Sequence, residues 1–361
     1  MKKSLKILVL AGDGIGPEVV DQALRVLDAV KGDSKFEFSI QHELIGGAAF
    51  EVHKEHFPET TKKACEDADI ILFGAVGGPL SEQMNPKWKN CEVNSILALR
   101  KLLDLFANVR PIKIDESLIK ISPLRLEKFL PKTPDLVIIR ELTGDLYFGD
   151  KGRRENGTVA FDECTYSTDQ IERITNFAFN LARKRRKVIH SIDKANVLET
   201  SKLWRETVSR ISNDNLDIEQ HTMLVDNCAM QLITNPTIFD TVLTSNMFGD
   251  ILSDAAAVIP GSLGLLASAS FGSSGKWLFE PPSGSAPDIA GKDIANPIGM
   301  IRCIAMMFEM ATEEIMIHDK IEQAISRTLD KHIYTADLQF ENHNPVACSK
   351  FTDLFLENLH L

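Results

Sequence analysis

The chain has 361 residues, of which 44% are hydrophobic and 25% charged; these values exclude a disordered chain and allow two domains or one large α/β unit. Acidic residues outnumber basic residues by 51 to 40, and the net charge of −11 disfavours nucleic acid as a partner, because phosphate contacts need clustered cations. The six cysteines lack the CxxC spacing of zinc or redox sites and are typical of buried thiols in a reducing compartment, so we expect a cytoplasmic protein.

Strand and helix patterns alternate along the chain. Strand–helix–strand order predicts an α/β fold with a mostly parallel sheet and right-handed crossovers. The predicted strands are Lys6–Ala11, Phe36–Ile40, Ile70–Phe73, Leu136–Arg140 and Val188–Ile192, with an extended segment at Thr158–Tyr166. The predicted helices are Pro17–Val30, Glu59–Asp67, Asp169–Arg186, Leu203–Ser212 and Pro297–Thr312.

We expect neither a signal peptide nor a membrane helix. The apolar run Ile7–Ala11 is too short for a signal peptide, and the longest uncharged stretch, Ala255–Gly275, is broken by glycines, serines and a proline. The pattern also predicts two domains: a compact insertion, 108–256, within a domain formed by 1–107 plus 257–361.

A glycine-rich loop follows the first strand. The dinucleotide fingerprint GxGxxG would need glycine at positions 12, 14 and 17, but position 17 is Pro17. The loop therefore does not match the Rossmann fingerprint. Two interpretations stay open: a tight strand-to-helix turn, or a loop whose backbone approaches a cofactor.

Three arginines are candidates for binding carboxylates: Arg100, Arg110 and Arg140. Arg140 ends a predicted strand, where ligands bind in open α/β sheets. A guanidinium binds a carboxylate through two parallel donors. Each arginine taken alone is more typical of a surface position or a salt bridge, so their joint use depends on the fold.

Three aspartates are candidates for holding a divalent cation. Asp250 and Asp254 are four residues apart and share one face of a predicted helix, and Asp226 follows an apolar run. Converging carboxylates repel one another unless a cation lies between them, and such oxygen ligands suit Mg²⁺ or Mn²⁺. The alternative is a helix with solvated acids.

Lys194 and Tyr147 are candidate proton-transfer groups. Lys194 directly follows a predicted strand and, if buried near other cations, would act as a base; Tyr147 follows Arg140 by seven residues and would donate a proton. The basic run RKRRK at 183–187 is interpreted as cations at a helix C-terminus rather than as a localisation signal.

Several motifs together resemble the isocitrate/isopropylmalate dehydrogenase family of β-decarboxylating dehydrogenases. They are GDGIGPE, LRKLLDLFANVRP, RELTGDLYFG, DKANVL, VDNCAM, NMFGDILSDAAAVIPGSLGL and GSAPDIAGK, in the family's order. The resemblance implies a two-domain fold with a mostly parallel sheet that is not a true Rossmann fold, in agreement with the failed fingerprint. Its cofactor-binding domain is 1–107 plus 257–361, and its inserted substrate, metal and dimerisation domain is 108–256. It implies NAD-dependent oxidative decarboxylation of 3-isopropylmalate to 2-oxo-4-methylpentanoate in leucine biosynthesis.

The resemblance also implies a role for each candidate residue. Lys194 is the base, Tyr147 the acid, and Arg100, Arg110 and Arg140 bind the malate carboxylates. Asp226, Asp250 and Asp254 hold Mg²⁺ or Mn²⁺, and Asp226 also contacts substrate. Since the family's lysine and first aspartate come from the neighbouring subunit, a homodimer with shared active sites is expected.

The adenosine-binding segment predicts NAD as the cofactor. Asp288 is expected to bind the ribose hydroxyls and to repel a 2′-phosphate, for which Ile289 offers no donor. Gly284, Ser285 and Asn296 correspond to further contacts with the adenosine half, and Ser283 is a variation from the family pattern.

The substrate pocket is predicted to have an apolar wall of Ile96 and Leu97, completed by Val197 from the partner subunit. Such a wall suits an isopropyl group. A departure lies just before it: the position of the family glutamate holds Val93, and Glu92 is one residue away. The alternatives are a related oxidative decarboxylase acting on homoisocitrate, tartrate or a longer alkylmalate, or a non-catalytic regulatory subunit.

Overall fold

The computed structural model describes residues 2–338 and 344–359, and within them the predicted α/β class is confirmed. The strands are β1 Lys3–Gly12, β2 Phe36–His42, β3 Ile70–Ala75, β4 Leu105–Lys113, β5 Asp135–Glu141, β6 Lys151–Arg154, β7 Val159–Asp162, β8 Val188–Asp193, β9 Glu219–Leu224, β10 Thr241–Thr244, β11 Ser268–Gly272 and β12 Trp277–Glu280. The helices are α1 Gly16–Val30, α2 Gly46–His53, α3 Glu59–Asp67, α4 Ala98–Leu102, α5 Thr168–Arg183, α6 Glu199–Asn213, α7 Val225–Thr234, α8 Asn246–Ala256, α9 Ile298–Met310, α10 Ile315–Asp330 and α11 Cys348–Leu359.

The chain divides into two compact units. The first comprises 1–105, 115–122 and 260–361. Its strands lie in the order β2-β1-β3-β12-β11, parallel except for the antiparallel pair β11 and β12. Helices α1 and α9 pack on these strands, and α10 packs on α9. Helix α9 is apolar on nearly all sides and correspondingly buried.

The second unit comprises 106–114 and 123–259. Its strands lie in the order β4-β5-β10-β8-β9, where only β4 and β5 are antiparallel; β6 and β7 form a separate two-stranded sheet. Helix α5 packs against β5, β8 and β10, and α8 packs against β5 and β10. Helix α5 begins with a capping box, in which Ser167 Oγ accepts from Gln170 N at 3.3 Å and Gln170 Oε1 accepts from Ser167 N at 2.9 Å.

The predicted elements are present, but three are shorter than predicted. The helix predicted at Asp169–Arg186 ends at Arg183, and only Val159–Asp162 of the predicted extended segment is a strand. The helix predicted at Pro297–Thr312 spans Ile298–Met310. Residues after Arg183 bind the sheet instead of extending the helix: Arg185 donates to buried Asp240 at 2.9 Å and to Asp135 at 2.7 Å. The basic run therefore neutralises acids at the start of the strands as well as lying near a helix C-terminus.

The cysteines are free thiols, as predicted. Five are buried and Cys164 is half-buried. Among the described residues, no helix combines the length and the apolar character needed to cross a membrane.

A buried histidine lies in strand β8. The ring of His190 stacks on His221 at 4.9 Å and meets Phe239 edge-on at 4.9 Å, while its buried Nδ1 has no hydrogen-bond partner among the described residues. Burial, followed by the nearby charge of His221, lowers the pKa of His190 to about 4. His190 is therefore neutral in the folded protein at pH values where an unfolded histidine binds a proton.

This difference predicts a loss of stability in acid. The contribution of neutral His190 is complete above pH about 6.5 and is lost as the pH falls toward about 4, because the unfolded state then takes up a proton that the folded state refuses. The free energy of unfolding should fall by about 2–3 kcal/mol less over this range in His190→Phe than in the unaltered protein. Urea unfolding at several pH values measures it, with exposed His53→Gln as control. Parallel pH profiles for His190→Phe and the unaltered protein would contradict the prediction.

Candidate functional site

The candidate residues of the second unit follow the carboxyl ends of neighbouring parallel strands. Arg140 lies at the end of β5, Lys194 directly follows β8, and α8 begins two residues after β10. Asp226 lies in the first turn of α7, directly after β9. Since β5, β10, β8 and β9 run parallel and adjacent, their carboxyl ends lie along one edge of the sheet. Topology therefore places these candidates along that edge.

Asp250 joins an arginine and a tyrosine. Its Oδ1 accepts a hydrogen bond from Arg140 Nη1, and its Oδ2 accepts one from the Tyr147 hydroxyl at 2.6 Å. The Arg140 guanidinium also lies 5.4 Å from the centre of the Tyr147 ring. Arg140 is buried, so Asp250 neutralises a charge that water does not solvate. The structure thus brings three predicted site residues together.

The pKa of Tyr147 is raised. Burial is the largest cause, and the hydrogen bond to Asp250 and the charge of Asp250 add to it. A phenol with a raised pKa keeps its proton at neutral pH. Tyr147 therefore has a proton to donate, as the role of general acid requires.

Arg110 binds α8 one turn after Asp250. Its Nη1 donates to Asp254 Oδ1 at 2.9 Å and to Ser253 Oγ at 2.6 Å, and its Nε donates to Asn108 Oδ1 at 2.9 Å. Its Nη2 lies 3.9 Å from Asp250 Oδ1. Arg110 thus spans both aspartates predicted to share one face of α8.

Lys194 is paired with an acid. Its Nζ donates to Asp226 Oδ1 at 2.6 Å, and this bond is the largest cause lowering the pKa of Asp226. The sequence could not show that Asp226, in the helix after β9, would lie beside Lys194, which follows β8.

Three aspartates, Asp226, Asp250 and Asp254, were predicted to bind a divalent cation. Asp254 and Asp226 are exposed, and Asp254 Oδ2 accepts no hydrogen bond from any described residue. Asp250 lies one turn from Asp254 on α8. Carboxylate oxygens are the donors that Mg²⁺ and Mn²⁺ prefer. Among the described residues of one chain, however, the three carboxylates do not group closely enough to hold one ion. Asp226 pairs with Lys194, whereas Asp250 and Asp254 pair with arginines.

Gly249, on α8, leaves room for the side chain of Arg140. A Cβ at position 249 would lie 2.7 Å from Arg140 Cγ and 2.8 Å from Arg140 Cβ. Any larger residue therefore displaces the arginine stem, although alanine has the higher helix propensity. The requirement for glycine here comes from packing and not from backbone conformation.

Gly249→Ala should displace the Arg140 side chain, and in the role predicted for Arg140 a displacement of about 1 Å lowers kcat/KM about 10-fold to 100-fold. The fold should persist, since alanine favours the helix. Steady-state kinetics and thermal unfolding measure the two effects. Gly32→Ala, at an exposed position with no atom within 4 Å of the added carbon, is the matched control. An unaltered kcat/KM in Gly249→Ala would show that α8 tolerates the methyl group.

The first unit contains the remaining predicted arginine and the apolar wall. Arg100 Nη2 donates to Glu280 at 2.9 Å, and both side chains are largely buried. Ile96 is buried and Leu97 half-buried in a π-helical turn, Val93–Leu97, that leads into α4. Val197, in the second unit, is exposed.

The predicted adenosine-binding residues lie in one loop of the first unit. Gly284 and Asp288 are exposed, Ile289 is half-buried, and Ser285 is buried. Lys292 Nζ donates to the Asp288 carbonyl oxygen at 2.7 Å. Asn296 is fixed by donating to Asp337 at 3.0 Å and accepting from Ile298 N at 2.9 Å. The exposed Asp288 carboxylate is thus open to a ligand.

The glycine-rich loop is a tight turn packed on other backbone. A Cβ at Gly14 would lie 1.9 Å from the Ser285 carbonyl oxygen, and one at Gly12 would lie 1.9 Å from the Ala75 carbonyl oxygen. Both glycines also have positive φ. The packing accounts for a tight turn, and the contact with Ser285 places this turn beside the predicted adenosine-binding segment, so both interpretations stay open.

Asp13 was not predicted to have a role. Its buried carboxylate accepts from Gly47 N at 2.8 Å, Ala48 N at 2.7 Å and Gly77 N at 3.0 Å, which joins the first loop to the start of α2 and to the loop after β3. The pKa of Asp13 is raised, because burial outweighs these hydrogen bonds. The GDG spacing was the signal available in the sequence.

Glu92 reaches the same loop after β3. Its Oε1 would lie 2.4 Å from a Cβ at Gly77, so the two residues are in direct contact. Whether Glu92 takes the part of the family glutamate stays a prediction.

Sequence reasoning also missed a buried polar network beside Tyr147. Asn246 and Glu141 are buried within it, and Tyr166 is half-buried. Burial, as the largest cause, raises the pKa of Glu141, and the Tyr166 hydroxyl is hydrogen-bonded to that carboxylate. Asn246 opens the motif NMFGDILSD, which was the signal available.

Comparisons with known proteins agree on one family. The family model for isocitrate/isopropylmalate dehydrogenase matches residues 6–355. A 3-isopropylmalate dehydrogenase from Aquifex aeolicus is 47% identical over 365 residues, covering 99% of this chain and 98% of that protein. One from Thermotoga maritima is 46% identical over 355 residues, covering 98% and 99%. Among solved structures, an isocitrate dehydrogenase from Methylococcus capsulatus has a TM-score of 0.86 at 33% identity, covering 99% of this chain and 100% of that chain. A β-decarboxylating dehydrogenase from Thermococcus kodakarensis has a TM-score of 0.80 at 31% identity, covering 99% and 96%.

Proposed function

Because the chain belongs to the isocitrate/isopropylmalate dehydrogenase family, we propose that it catalyses the NAD-dependent oxidative decarboxylation of 3-isopropylmalate to 2-oxo-4-methylpentanoate, a step of leucine biosynthesis. The observation that carries the proposal is the cluster of Arg110, Arg140, Tyr147 and the acids of α8 at one sheet edge. It combines cations for a dicarboxylate, a protonated phenol and oxygen ligands for a cation.

The substrate carboxylates are assigned to Arg100, Arg110 and Arg140. Each guanidinium supplies the planar donors that a carboxylate accepts. Ile96 and Leu97 precede Arg100 and supply no charged group for a third carboxylate, which favours an isopropyl group over the acidic arm of isocitrate. Val197 from a partner subunit completes this apolar wall in the proposal. A pocket of this kind separates neighbouring alkyl groups by about 1–3 kcal/mol, so closely related alkylmalates are expected to react slowly.

Lys194 is proposed as the base and Tyr147 as the acid. Lys194 accepts the C2 hydroxyl proton while hydride leaves C2, and the 2-oxo acid formed then loses the carboxylate at C3 as CO₂. Tyr147 protonates C3 of the resulting enol. When bound, NAD⁺ accepts the hydride and the divalent cation withdraws electron density from the C2 oxygen and the enol. Asp226, Asp250 and Asp254 would hold that cation.

NAD is proposed in preference to NADP. Asp288 presents an exposed carboxylate in the loop with Gly284, Ser285, Ile289 and Asn296. A carboxylate accepts hydrogen bonds from ribose hydroxyls and repels a 2′-phosphate.

The cellular location is a separate proposal. The free thiols support a cytoplasmic location, since such thiols persist in a reducing compartment.

A homodimer with shared active sites is proposed from apolar side chains of the second unit. Met230 and Ile233 share one face of α7 and are 59% and 58% exposed, and Ile251 on α8 is 61% exposed. Helices α7 and α8 contact each other, so these residues offer an apolar surface to a second copy. In that dimer Lys194 and Asp226 contribute to the active site of the partner subunit.

Each domain is proposed to have its own role. The domain formed by 1–107 plus 257–361 binds the cofactor, and the domain 108–256 binds the substrate.

Mixing two inactive variants tests the shared site. A dimer of one Lys194→Met subunit and one Asp250→Asn subunit contains one intact site if Lys194 acts on the neighbouring subunit. Activity should therefore reappear after the two variants are unfolded together and refolded. No recovery, with dimers shown by sedimentation, would contradict a shared site.

Turnover of defined acids tests the function. NADH formation is followed with Mg²⁺ or Mn²⁺ and 3-isopropylmalate, isocitrate, homoisocitrate or tartrate, and each reaction is repeated with NADP. The proposal expects the highest kcat/KM for 3-isopropylmalate with NAD. A higher value for another acid would replace the assigned substrate, and no turnover of any acid would contradict an enzyme.

A further inference from the structure

We propose that Asn246 is a positioning residue for this reaction, whose side-chain amide holds the Arg140 guanidinium and the Tyr147 loop in one geometry. The inference rests on the proposed function, because Arg140 and Tyr147 have their roles there. Asn246 itself is 1% exposed and is not placed in contact with substrate.

The amide of Asn246 holds Arg140 from one side. Asn246 Oδ1 accepts from Arg140 Nε at 3.0 Å, while Asp250, four residues later on α8, accepts from Arg140 Nη1. Two successive turns of one helix therefore hold the guanidinium at two of its nitrogens. Such a two-point attachment fixes the plane of the guanidinium as well as its position.

The same amide holds the loop that leads to Tyr147. Asn246 Nδ2 donates to the Gly144 carbonyl oxygen at 3.1 Å, and Gly144 N donates to Glu141 Oε2 at 2.8 Å. A Cβ at Gly144 would lie 2.5 Å from the Tyr166 ring. Gly144 is thus restrained through its N–H, its carbonyl and its α-carbon, only three residues before Tyr147.

The backbone of Asn246 closes the network. Its N–H donates to the Tyr166 hydroxyl at 2.9 Å, and that hydroxyl is hydrogen-bonded to Glu141, the residue after Arg140. Arg140 and the Tyr147 loop are therefore linked by the hydrogen bonds of the buried Asn246 side chain. In such a network one missing amide leaves both neighbours without their partners.

A double-mutant cycle separates positioning from general stability. Asn246→Ala should lower kcat/KM for 3-isopropylmalate about 10-fold to 100-fold, the range expected for a hydrogen bond to a charged group. Lysine has no Nε–H to donate to Asn246. In an Arg140→Lys background, Asn246→Ala should therefore lower kcat/KM by less than about 3-fold. Asn246→Asp keeps the shape and the acceptor for Arg140 Nε but cannot donate to Gly144, and serves if Asn246→Ala does not fold.

Asn358→Ala is the matched control. Asn358 is also a buried asparagine, and its Nδ2 donates to Thr328 Oγ1 and the Leu354 carbonyl oxygen, each at 3.0 Å, in the first unit. Its loss should lower the melting temperature and leave KM and kcat unaltered. A purely structural role for Asn246 predicts the same result for Asn246→Ala.

A measurement without substrate completes the test. The chain has three tyrosines, so tyrosine labelled with ¹³C at the phenol carbon gives few signals, and Tyr147→Phe assigns the one from Tyr147. At a fixed neutral pH this signal should shift in Asn246→Ala and Asn246→Asp and not in Asn358→Ala. An unaltered Tyr147 signal, or costs that add fully in the cycle, would overturn the inference. Absence of turnover by the unaltered protein would instead overturn the proposed function.

Discussion

Replacing Lys194 with methionine should lower kcat by a factor of about 10² to 10⁴, the range expected for loss of a positioned general base. Methionine keeps a long, unbranched side chain and loses the amine, so packing around residue 194 changes little. The dissociation constant for NAD should stay within about 2-fold, because Lys194 lies in the second unit and the proposed adenosine contacts lie in the first. Steady-state kinetics and NAD titration measure the two quantities.

Lys202→Met controls for loss of a positive charge nearby. Lys202 lies on α6, exposed, and pairs with Glu199 one turn away. The Lys202→Met variant should keep a near-normal kcat. A kcat for Lys194→Met equal to that of this control would exclude Lys194 as the base, and an equal loss of NAD affinity and kcat would indicate a disturbed fold.

Asp250→Asn should lower kcat/KM at least about 100-fold. Asparagine has the same shape, but its NH₂ replaces one of the two acceptor oxygens, so it loses the hydrogen bond from Arg140 or the one from Tyr147, and its neutral side chain removes a negative charge beside the buried arginine. Loss of one anionic ligand should also raise the Mg²⁺ concentration needed for half-maximal rate. Kinetics over a range of Mg²⁺ concentrations measure both effects.

The matched control is Asp217→Asn, which removes an exposed carboxylate that pairs with Arg183. Its kcat/KM and Mg²⁺ requirement should stay normal, since surface ion pairs contribute little. If Asp250→Asn behaved like this control, neither the cation nor Arg140 would depend on the Asp250 carboxylate.

The fold was predictable where local pattern and tertiary structure agree. Helix α3 has the predicted bounds, and each predicted strand is present with residues added at one or both ends. Short strands such as β10 and β11 were not predicted, because four or five buried residues carry no periodicity that separates strand from helix. The early end of α5 depends on Asp135 and Asp240, acids distant in sequence that bind Arg185.

The candidate site was predictable in its residue types but not in its pairings. The spacing of Asp250 and Asp254 correctly indicated one helix face, and both bind Arg110 or Arg140 there. Nothing in the sequence showed that Asp226 would pair with Lys194, since they follow different strands. Asn246 was passed over because a polar residue at a helix start is ordinary, and only its contacts on both sides distinguish it.

The close packing of the glycine-rich turn bears on how such chains are classified. Positions 12 and 14 require glycine because the carbonyl oxygens of Ala75 and Ser285 occupy the space that a side chain would need. A glycine motif at a strand–helix junction therefore does not by itself indicate a phosphate cradle, because close packing also requires glycine there. Variants at either position should accordingly be tested first for expression and solubility, with nucleotide affinity examined afterwards.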